Sequence, residues 1–296
     1  MTEASMSCPA VEETVRWSAG ADTLDIGLTR GGDGPVALLL PALSSISTRS
    51  EMAPLAERLG ARFVTVAIDW PGFGTLPRPR RAWTAADMAT FLRFVLTELV
   101  PRPALVVAAG HAAGFLLRHA IEAPEAFERA ALVAPTWRGP LPTMLSRRPD
   151  WLARVRAAVD APIVGPLLYG LNMSGPVIRR MARGHVYADP VFLDPARFAS
   201  KLAVAAAPGA RFASVRFVTG ALDPFEDGAS FRAAGSLLAG RLLPVWGALT
   251  PPRSLAEMAA LAEAAGASPV VIPDAKLGVH EERPDETAAA IRAFAG

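Results

Sequence analysis

The sequence contains a single cysteine and no long apolar run. Its single cysteine, Cys8, excludes an internal disulfide framework and a cysteine-based zinc cluster. No run of about 18 uninterrupted apolar residues occurs, so no segment is expected to span a membrane. Residues 1–20 are acidic and also lack an apolar run, which argues against a secretory signal. Together these absences predict a cytoplasmic protein.

Histidine is also scarce, with four residues in the 296-residue chain. Neither His119 nor His185 has a second His, Asp or Glu at a metal-ligand spacing, so no metal site is expected. The glycine-rich run at residues 31–34 precedes a strand and not a helix, which indicates a turn and not a phosphate-binding loop. We therefore expect no cofactor. No known nucleic-acid-binding module is present, so no nucleic-acid partner is expected.

Short apolar runs alternate with helix-like segments over much of the chain, and 51% of the residues are apolar. Brief runs bounded by Gly or Pro predict buried strands at Val36–Leu40, Phe63–Ile68, Ala104–Ala109, Ala130–Ala134, Leu242–Trp246 and Pro269–Ile272. Thr14–Trp17 and Thr23–Thr29 are predicted as antiparallel strands at one edge of the sheet. Helices are predicted at Ser50–Leu59, Thr84–Leu99, Ser254–Ala264 and Asp285–Ala295. The alternation predicts an α/β fold, with a mostly parallel sheet and helices on both faces.

The alternation breaks at residues 137–236, which are rich in Arg, Pro and Gly. Helical pieces are predicted there at Trp151–Val159 and Pro176–Ala182. The apolar segment Ala161–Ile178 is interrupted by Gly and Pro, which favours a lid over an apolar cavity and not a membrane span. Residues 1–136 and 237–296 are therefore predicted to form the core, and residues 137–236 an inserted helical cap.

Charge is distributed unevenly along the chain. Residues 137–216 contain twelve basic and four acidic side chains, a net charge of +8, whereas the remaining residues carry a net charge of −6. Such asymmetry favours an anionic lipid or a protein partner at the cap, with localisation at the periphery of a membrane as one consequence. An arginine-rich surface that is simply solvated is the alternative.

The segment ALVVAAGHAAGFLL at residues 104–117 is a predicted strand, a Gly110-His111-Ala112-Ala113-Gly114 turn and a helix. This is the context of the G-x-S-x-G nucleophile elbow. Here the chain resembles the α/β-hydrolase superfamily, and the resemblance extends over nearly its whole length. Further motifs that resemble the family are Asp69–Gly74 (DWPGFG), Leu40–Leu43 (LPAL), Trp246-Gly247 and Gly278–Glu282 (GVHEE).

The resemblance implies the positions of a catalytic triad, and two of the three chemical groups are missing. The nucleophile position is Ala112, whose methyl group cannot attack a carbonyl. The acid position lies near Leu249-Thr250, where no carboxylate occurs between Arg241 and Ala256. His280 matches the catalytic histidine. An ordinary Ser-His-acid hydrolase is therefore not expected.

Two substitutes for the missing groups remain open. Val215–Asp223 (VRFVTGALD) resembles a strand followed by G-x-x-D, so Asp223 could supply the acid, although a turn residue before Pro224 is the alternative. A serine after the oxyanion loop could act as a displaced nucleophile, or could form turns and helix caps, at Ser44, Ser45 or Ser47.

The family resemblance also implies an oxyanion hole, from the backbone N–H of Ala113 together with that of Ala42 or Leu43. His111, Trp70, Trp137 and Ser44 are the candidate cavity-lining residues. The Glu281-Glu282 pair is expected to be solvated, because adjacent residues rarely face one another.

Three functions follow from these residues. The first is an atypical enzyme that acts on a small apolar carbonyl compound through His280 and the oxyanion hole. The second is a catalytically inactive protein that binds an apolar ligand or a protein partner. The third is a peripheral lipid-associated factor that uses the basic cap.

Overall fold

A mixed sheet forms the centre of the fold in the computed structural model, which describes residues 9–20 and 22–296; Cys8 lies outside them. The strands are β1 (Val11–Ala19), β2 (Asp22–Gly31), β3 (Val36–Leu40), β4 (Val64–Ile68), β5 (Leu105–Ala109), β6 (Arg129–Val133), β7 (Leu242–Gly247) and β8 (Val270–Ile272). Their spatial order is β1-β2-β4-β3-β5-β6-β7-β8. The β1–β2 and β2–β4 pairs are antiparallel, and the pairs from β4 to β8 are parallel. The predicted α/β fold is confirmed.

Helices cover both faces of the sheet and also fill the stretch between β6 and β7. They are α1 (Ala53–Leu59), α2 (Ala85–Phe94), α3 (His111–Glu122), α4 (Pro140–Leu145), α5 (Trp151–Asp160), α6 (Val164–Asn172), α7 (Gly175–Met181), α8 (Pro195–Ala206), α9 (Ala210–Val218), α10 (Gly228–Ser236), α11 (Pro252–Ala264), α12 (Val279–Glu282) and α13 (Pro284–Ala295). A 3-10 turn at Arg49–Met52 precedes α1, and wider π turns follow α2 and α7.

Alternate residues of the parallel strands face two separate apolar layers. In β3, Leu38 and Leu40 pack with α2 and α3 on one face of the sheet, whereas Ala37 and Leu39 pack with α1 and α13 on the other. Both sets are fully buried, as expected for parallel strands covered on both sides. This arrangement brings the carboxyl ends of β3, β5 and β7 to one edge of the sheet, where binding sites of such folds form.

Two local predictions differ from the structure. The helix predicted to begin at Ser254 begins instead at Pro252, because proline has the right backbone angle for a first helical position. The strand-like run that begins at Val215 belongs to the helix α9, in which Ala213 and Val215 are buried by the surrounding helices. Tertiary packing here overrides the preference of β-branched residues for strands.

The helical segment, residues 137–236, contains the helices α4–α10 and no strand. Its helix α10 packs on α3 and α11, so this part of the segment joins the layer over the sheet. Helices α5, α6, α8 and α9 pack mainly on one another. No helix among the described residues is long and apolar enough to cross a bilayer.

Candidate functional site

The site predicted from the sequence lies at the carboxyl edge of the parallel strands. Ala42 follows β3, Gly110 follows β5, and His280 lies in the short helix α12. A fourth residue, Glu51, reaches the same place from the 3-10 turn before α1. Glu51 was not predicted from the sequence. The one feature that could have indicated it is the presence of an acidic residue shortly after the predicted oxyanion loop.

The turn after β5 has its unusual backbone conformation at Gly110, with φ 53° and ψ −121°. Ala112, the nucleophile position implied by the family resemblance, lies two residues further on: it is fully buried within α3 and is not among the residues with positive φ. Glycine takes the strained position because it has no Cβ to clash. The apex of the elbow therefore carries no side chain at all.

Two backbone N–H groups near this turn donate to the Gly110 carbonyl oxygen. The Ala113 N–H donates to the Gly110 carbonyl at 3.2 Å, and the Thr136 N–H donates to the same oxygen at 3.0 Å. The N–H of Ala113, predicted to be an oxyanion donor, is therefore already used in a hydrogen bond within the turn. Leu43, the other candidate donor, is packed in the apolar core.

The Ala42 N–H donates to Glu51 Oε1 at 2.6 Å. The same oxygen lies 3.5 Å from His280 Nε2. Glu51 and His280 are both 4% exposed. An internal carboxylate therefore occupies the predicted oxyanion donor of Ala42 and faces the predicted catalytic histidine.

The ion cluster of Glu51, His280, Lys201, Glu281 and Tyr187 extends this contact into the helical segment. Lys201 Nζ lies 2.8 Å from Glu281 Oε2 and 4.0 Å from Glu51 Oε2. The Tyr187 hydroxyl donates to Glu281 Oε1 at 2.6 Å. The cluster ties α8, α12 and the 3-10 turn together.

The prediction that Glu281 and Glu282 are solvated is therefore wrong. Glu281 binds Lys201 and Tyr187, and Glu282 Oε1 accepts the Ala188 and Asp189 N–H groups, each at 2.8 Å. Both carboxylates therefore bind groups of the helical segment, although the two residues are adjacent in α12.

The protonation states of the cluster follow from its geometry. Burial alone would raise the pKa of Glu51, but the nearby His280 ring and the charge of Lys201 outweigh burial and lower it. Burial would lower the pKa of Lys201, and the charges of Glu281 and Glu51 reverse this and raise it. Burial and the neighbouring Glu281 raise the pKa of the Tyr187 hydroxyl. At neutral pH Glu51 is therefore an ionised carboxylate, Lys201 an ammonium group and Tyr187 a neutral phenol.

Ligand-type atoms of Glu51, His280 and Glu281 lie within 4.8 Å of one another. The Lys201 ammonium group already binds Glu281 in this space, so a metal ion would have to displace it. Neither ring nitrogen of His280 has a hydrogen-bond partner among the described residues, and the same is true of the buried Thr250 hydroxyl. Thr250 occupies the acid position implied by the family resemblance.

Asp223 was a candidate acid for His280, and the structure places it elsewhere. Its carboxylate accepts the Gly139 N–H at 2.7 Å, pairs with Arg148 at 2.7 Å and lies 3.5 Å from His111 Nε2. The carboxylate nearest to His280 is that of Glu51. Asp223 follows the helix α9 and not a strand, and its contacts are with Gly139, Arg148 and His111.

His111 is packed between the Phe115 and Phe217 rings, with Nε2 3.0 Å from the Leu222 carbonyl. Burial lowers its pKa, although the charge of Asp223 acts in the opposite direction. A neutral imidazole therefore fills this position as a packing residue. The prediction that His111 lines a cavity does not match this enclosed environment.

The remaining candidates have packing or turn roles in the structure. Trp70 is buried against Phe91 and Phe115 and donates to the Pro41 carbonyl at 2.9 Å. Trp137 is buried beside Phe231 and beneath the guanidinium of Arg138. Ser44 Oγ accepts the Ile46 N–H at 3.4 Å, which is a local turn contact. Ser45 and Ser47 are buried.

A cleft of about 410 Å³ opens within the helical segment, away from His280. Its walls come from α6, α8 and α9, and the main lining residues are Pro166, Tyr169, Met173, Leu202, Ala206 and Arg211. The Arg211 guanidinium lies over the Phe212 ring, and its Nε has no hydrogen-bond partner among the described residues. The cleft is thus apolar with one cationic group.

Comparison with known proteins supplies the wider context. The model of a family described as "Alpha/beta hydrolase family" matches residues 37–290. No match is found among curated protein sequences.

Solved structures with the same fold include several hydrolases. A thermophilic esterase from Thermogutta terrifontis is 20% identical, with 95% of this chain and 97% of that chain covered and a TM-score of 0.68. A 2-hydroxy-6-oxo-6-phenylhexa-2,4-dienoate hydrolase from Rhodococcus sp. strain RHA1 is also 20% identical, with 97% and 99% covered and a TM-score of 0.68. A haloalkane dehalogenase variant from Bradyrhizobium elkanii is 15% identical, with 96% of each chain covered and a TM-score of 0.68.

Proposed function

The chain belongs to the alpha/beta hydrolase family, and we propose that within this family it is a non-hydrolytic protein that binds an apolar acid. The proposal depends chiefly on the hydrogen bond from the Ala42 N–H to Glu51. In the family that the chain resembles, this donor stabilises the oxyanion of a substrate. In this chain the carboxylate of Glu51 accepts the hydrogen bond from the Ala42 N–H.

The absence of a nucleophile at the elbow supports the same conclusion. Gly110 holds the apex of the turn and has no side chain to form an acyl intermediate. The alternative function, proton transfer by His280 with an oxyanion hole, requires a carbonyl oxygen to reach the Ala42 N–H. Glu51 would first have to leave both Ala42 and His280, which would leave Lys201 without part of its buried counter-charge.

The cleft between α6, α8 and α9 is the binding site that we assign. Its volume of about 410 Å³ lies within the range of small-molecule sites. The apolar lining suits an alkyl or acyl chain, and the guanidinium group of the lining residue Arg211 suits a carboxylate at one end. An apolar acid satisfies both features.

Catalysis is tested with a fluorophosphonate probe and with short-chain esters and enol-type substrates. The wild-type protein is expected to remain unlabelled and to show no turnover above the uncatalysed background. His280→Ala and the matched control His185→Ala should behave alike. Turnover that is lost in His280→Ala and retained in His185→Ala would overturn the non-hydrolytic assignment.

Ligand binding is tested by calorimetric titration with dodecanoate. Arg211→Gln is expected to weaken binding by about tenfold, because a charge-assisted hydrogen bond is lost. Arg147→Gln, an exposed arginine outside the cleft, is the matched control and should bind as the wild type does. Equal affinity of Arg211→Gln and the wild type, or an absence of binding heat, would contradict the assignment of the cleft.

A further inference from the structure

Helix α6 presents an apolar face to solvent. Ile163, Leu167 and Leu171 follow one another at intervals of four residues, so they share one face, and they are 86%, 65% and 63% exposed. Val164 and Leu168 lie beside them and are also exposed. Exposed apolar patches of this kind on a monomer mark interaction sites.

The packing of α6 explains why this face stays free. Gly165 is the buried residue of the helix, and a Cβ there would lie 2.0 Å from the Val159 carbonyl of α5. Tyr169 holds the same side by donating to the Ala205 carbonyl at 3.0 Å. The helix is therefore anchored through Gly165 and Tyr169, and its leucines are left on the outside.

The charges of the elements next to this face are mostly positive. Residues 161–178 contain no Asp, Glu, Lys, Arg or His, and arginines lie on both flanking helices. Arg154 of α5, Arg180 of α7 and Arg183 are exposed, and none has a carboxylate within 4.0 Å among the described residues. An apolar helix face, with exposed and unpaired arginines on the neighbouring elements, complements a lipid surface whose interior is apolar and whose headgroups are negatively charged.

From this complementarity we infer that α6 docks on the surface of an anionic lipid bilayer. The leucine face enters the boundary between headgroups and acyl chains, and the arginines contact lipid phosphates. A second copy of the chain is a poorer occupant, because two such faces would bring like charges together. Pro166 and Tyr169 of the same helix line the cleft, so docking would also place the cleft next to the bilayer.

The inference rests on the exposed face of α6 and is independent of the proposed function. Leu167 and Leu171 do not line the cleft. Their replacement is therefore expected to leave dodecanoate binding unchanged, so failure of docking and failure of the cleft assignment are distinguishable.

Docking is tested by co-sedimentation with vesicles. One set consists of phosphatidylcholine alone, and the other contains phosphatidylglycerol in equal proportion. The wild type is expected to bind the anionic vesicles, and added salt should weaken binding by screening the arginines. The double variant Leu167→Ser/Leu171→Ser should bind about tenfold or more weakly, since two apolar side chains are lost from the lipid contact.

The matched control is Val11→Ser/Leu237→Ser, which replaces two exposed apolar residues outside α6 and should bind as the wild type does. The triple variant Arg154→Gln/Arg180→Gln/Arg183→Gln should lose the preference for anionic vesicles. Equal binding by the leucine variant and the wild type would overturn the inference. So would equal binding of the wild type to both vesicle types, or a wild-type dimer in light scattering that becomes a monomer in the leucine variant.

Discussion

Glu51 is a buried carboxylate that joins three parts of the chain. It accepts the Ala42 N–H, faces His280 and lies near the ammonium group of Lys201. A buried ion is tolerated only when several partners replace its lost hydration. These partners keep Glu51 ionised, and removal of its charge would leave Lys201 without part of its buried counter-charge.

At the residue scale we therefore predict that Glu51→Gln destabilises the fold by about 3 kcal/mol at neutral pH. The pKa of Glu51 is lowered from its ordinary value of 4.5. Its stabilising contribution is thus present above about pH 4.5 and is lost as the pH falls through the folded-state pKa. The difference between the variant and the wild type should shrink below that pH.

Urea denaturation from neutral pH downward measures this difference. Glu57→Gln, an exposed glutamate of α1, is the control and should change the free energy of unfolding by less than about 0.5 kcal/mol. A gap between Glu51→Gln and the wild type that does not vary with pH would exclude the electrostatic explanation.

At the scale of elements, two similar sequence signals have different outcomes. Thr84 and Asp87 form a capping box of α2, in which the Asp87 N–H donates to Thr84 Oγ1 at 3.1 Å and the Thr84 N–H donates to Asp87 Oδ2 at 2.9 Å. Ser254 and Glu257 show the same spacing but lie inside α11, and Glu257 pairs with Arg138. A helix begins where the backbone first adopts helical angles, and in α11 that point is Pro252, two residues before Ser254.

Thr84→Ala is therefore expected to lower the free energy of unfolding by about 1 kcal/mol, because α2 loses a side-chain acceptor for its first turn. Ser254→Ala should lower it by less than about 0.5 kcal/mol, since Ser254 caps no helix. Chemical denaturation of both variants provides the measurement. Equal losses in the two variants would mean that the cap does not stabilise α2.

At the scale of the whole molecule, burial is unequal between the sheet layers and the outer helices. Strand β5 is fully buried, and nine residues of α3 belong to the core. Gly165 is the buried residue of α6, and the leucines of that helix face solvent. Segments with few buried apolar contacts open with a lower free energy than the core.

Hydrogen–deuterium exchange should therefore be faster in α6 than in α3, although both helices are short and similarly composed of apolar residues. The amides of α6 exchange by local opening, whereas those of β5 and α3 require opening of the core. Mass spectrometry of peptic fragments distinguishes the two. Protection of α6 equal to that of β5 would show that the outer helices unfold only together with the sheet.

The sequence by itself determined the strands, the order of helices between them and the capping of α2, because these follow from local periodicity and from contacts three or four residues apart. It also determined that the elbow lacks an attacking oxygen, since Gly110, His111 and Ala112 have no hydroxyl. These conclusions needed no distant contact.

Only the tertiary structure decided which residue of the elbow takes the positive φ, and which carboxylate faces His280. Gly110 takes the turn because β5 ends one residue earlier, and Glu51 reaches His280 because the carboxyl ends of the parallel strands meet at one edge. Tertiary packing also decided that Asp223 pairs with Arg148 and that the leucines of α6 remain exposed. Partners that are far apart in the chain are selected by packing across the sheet, which local patterns do not encode.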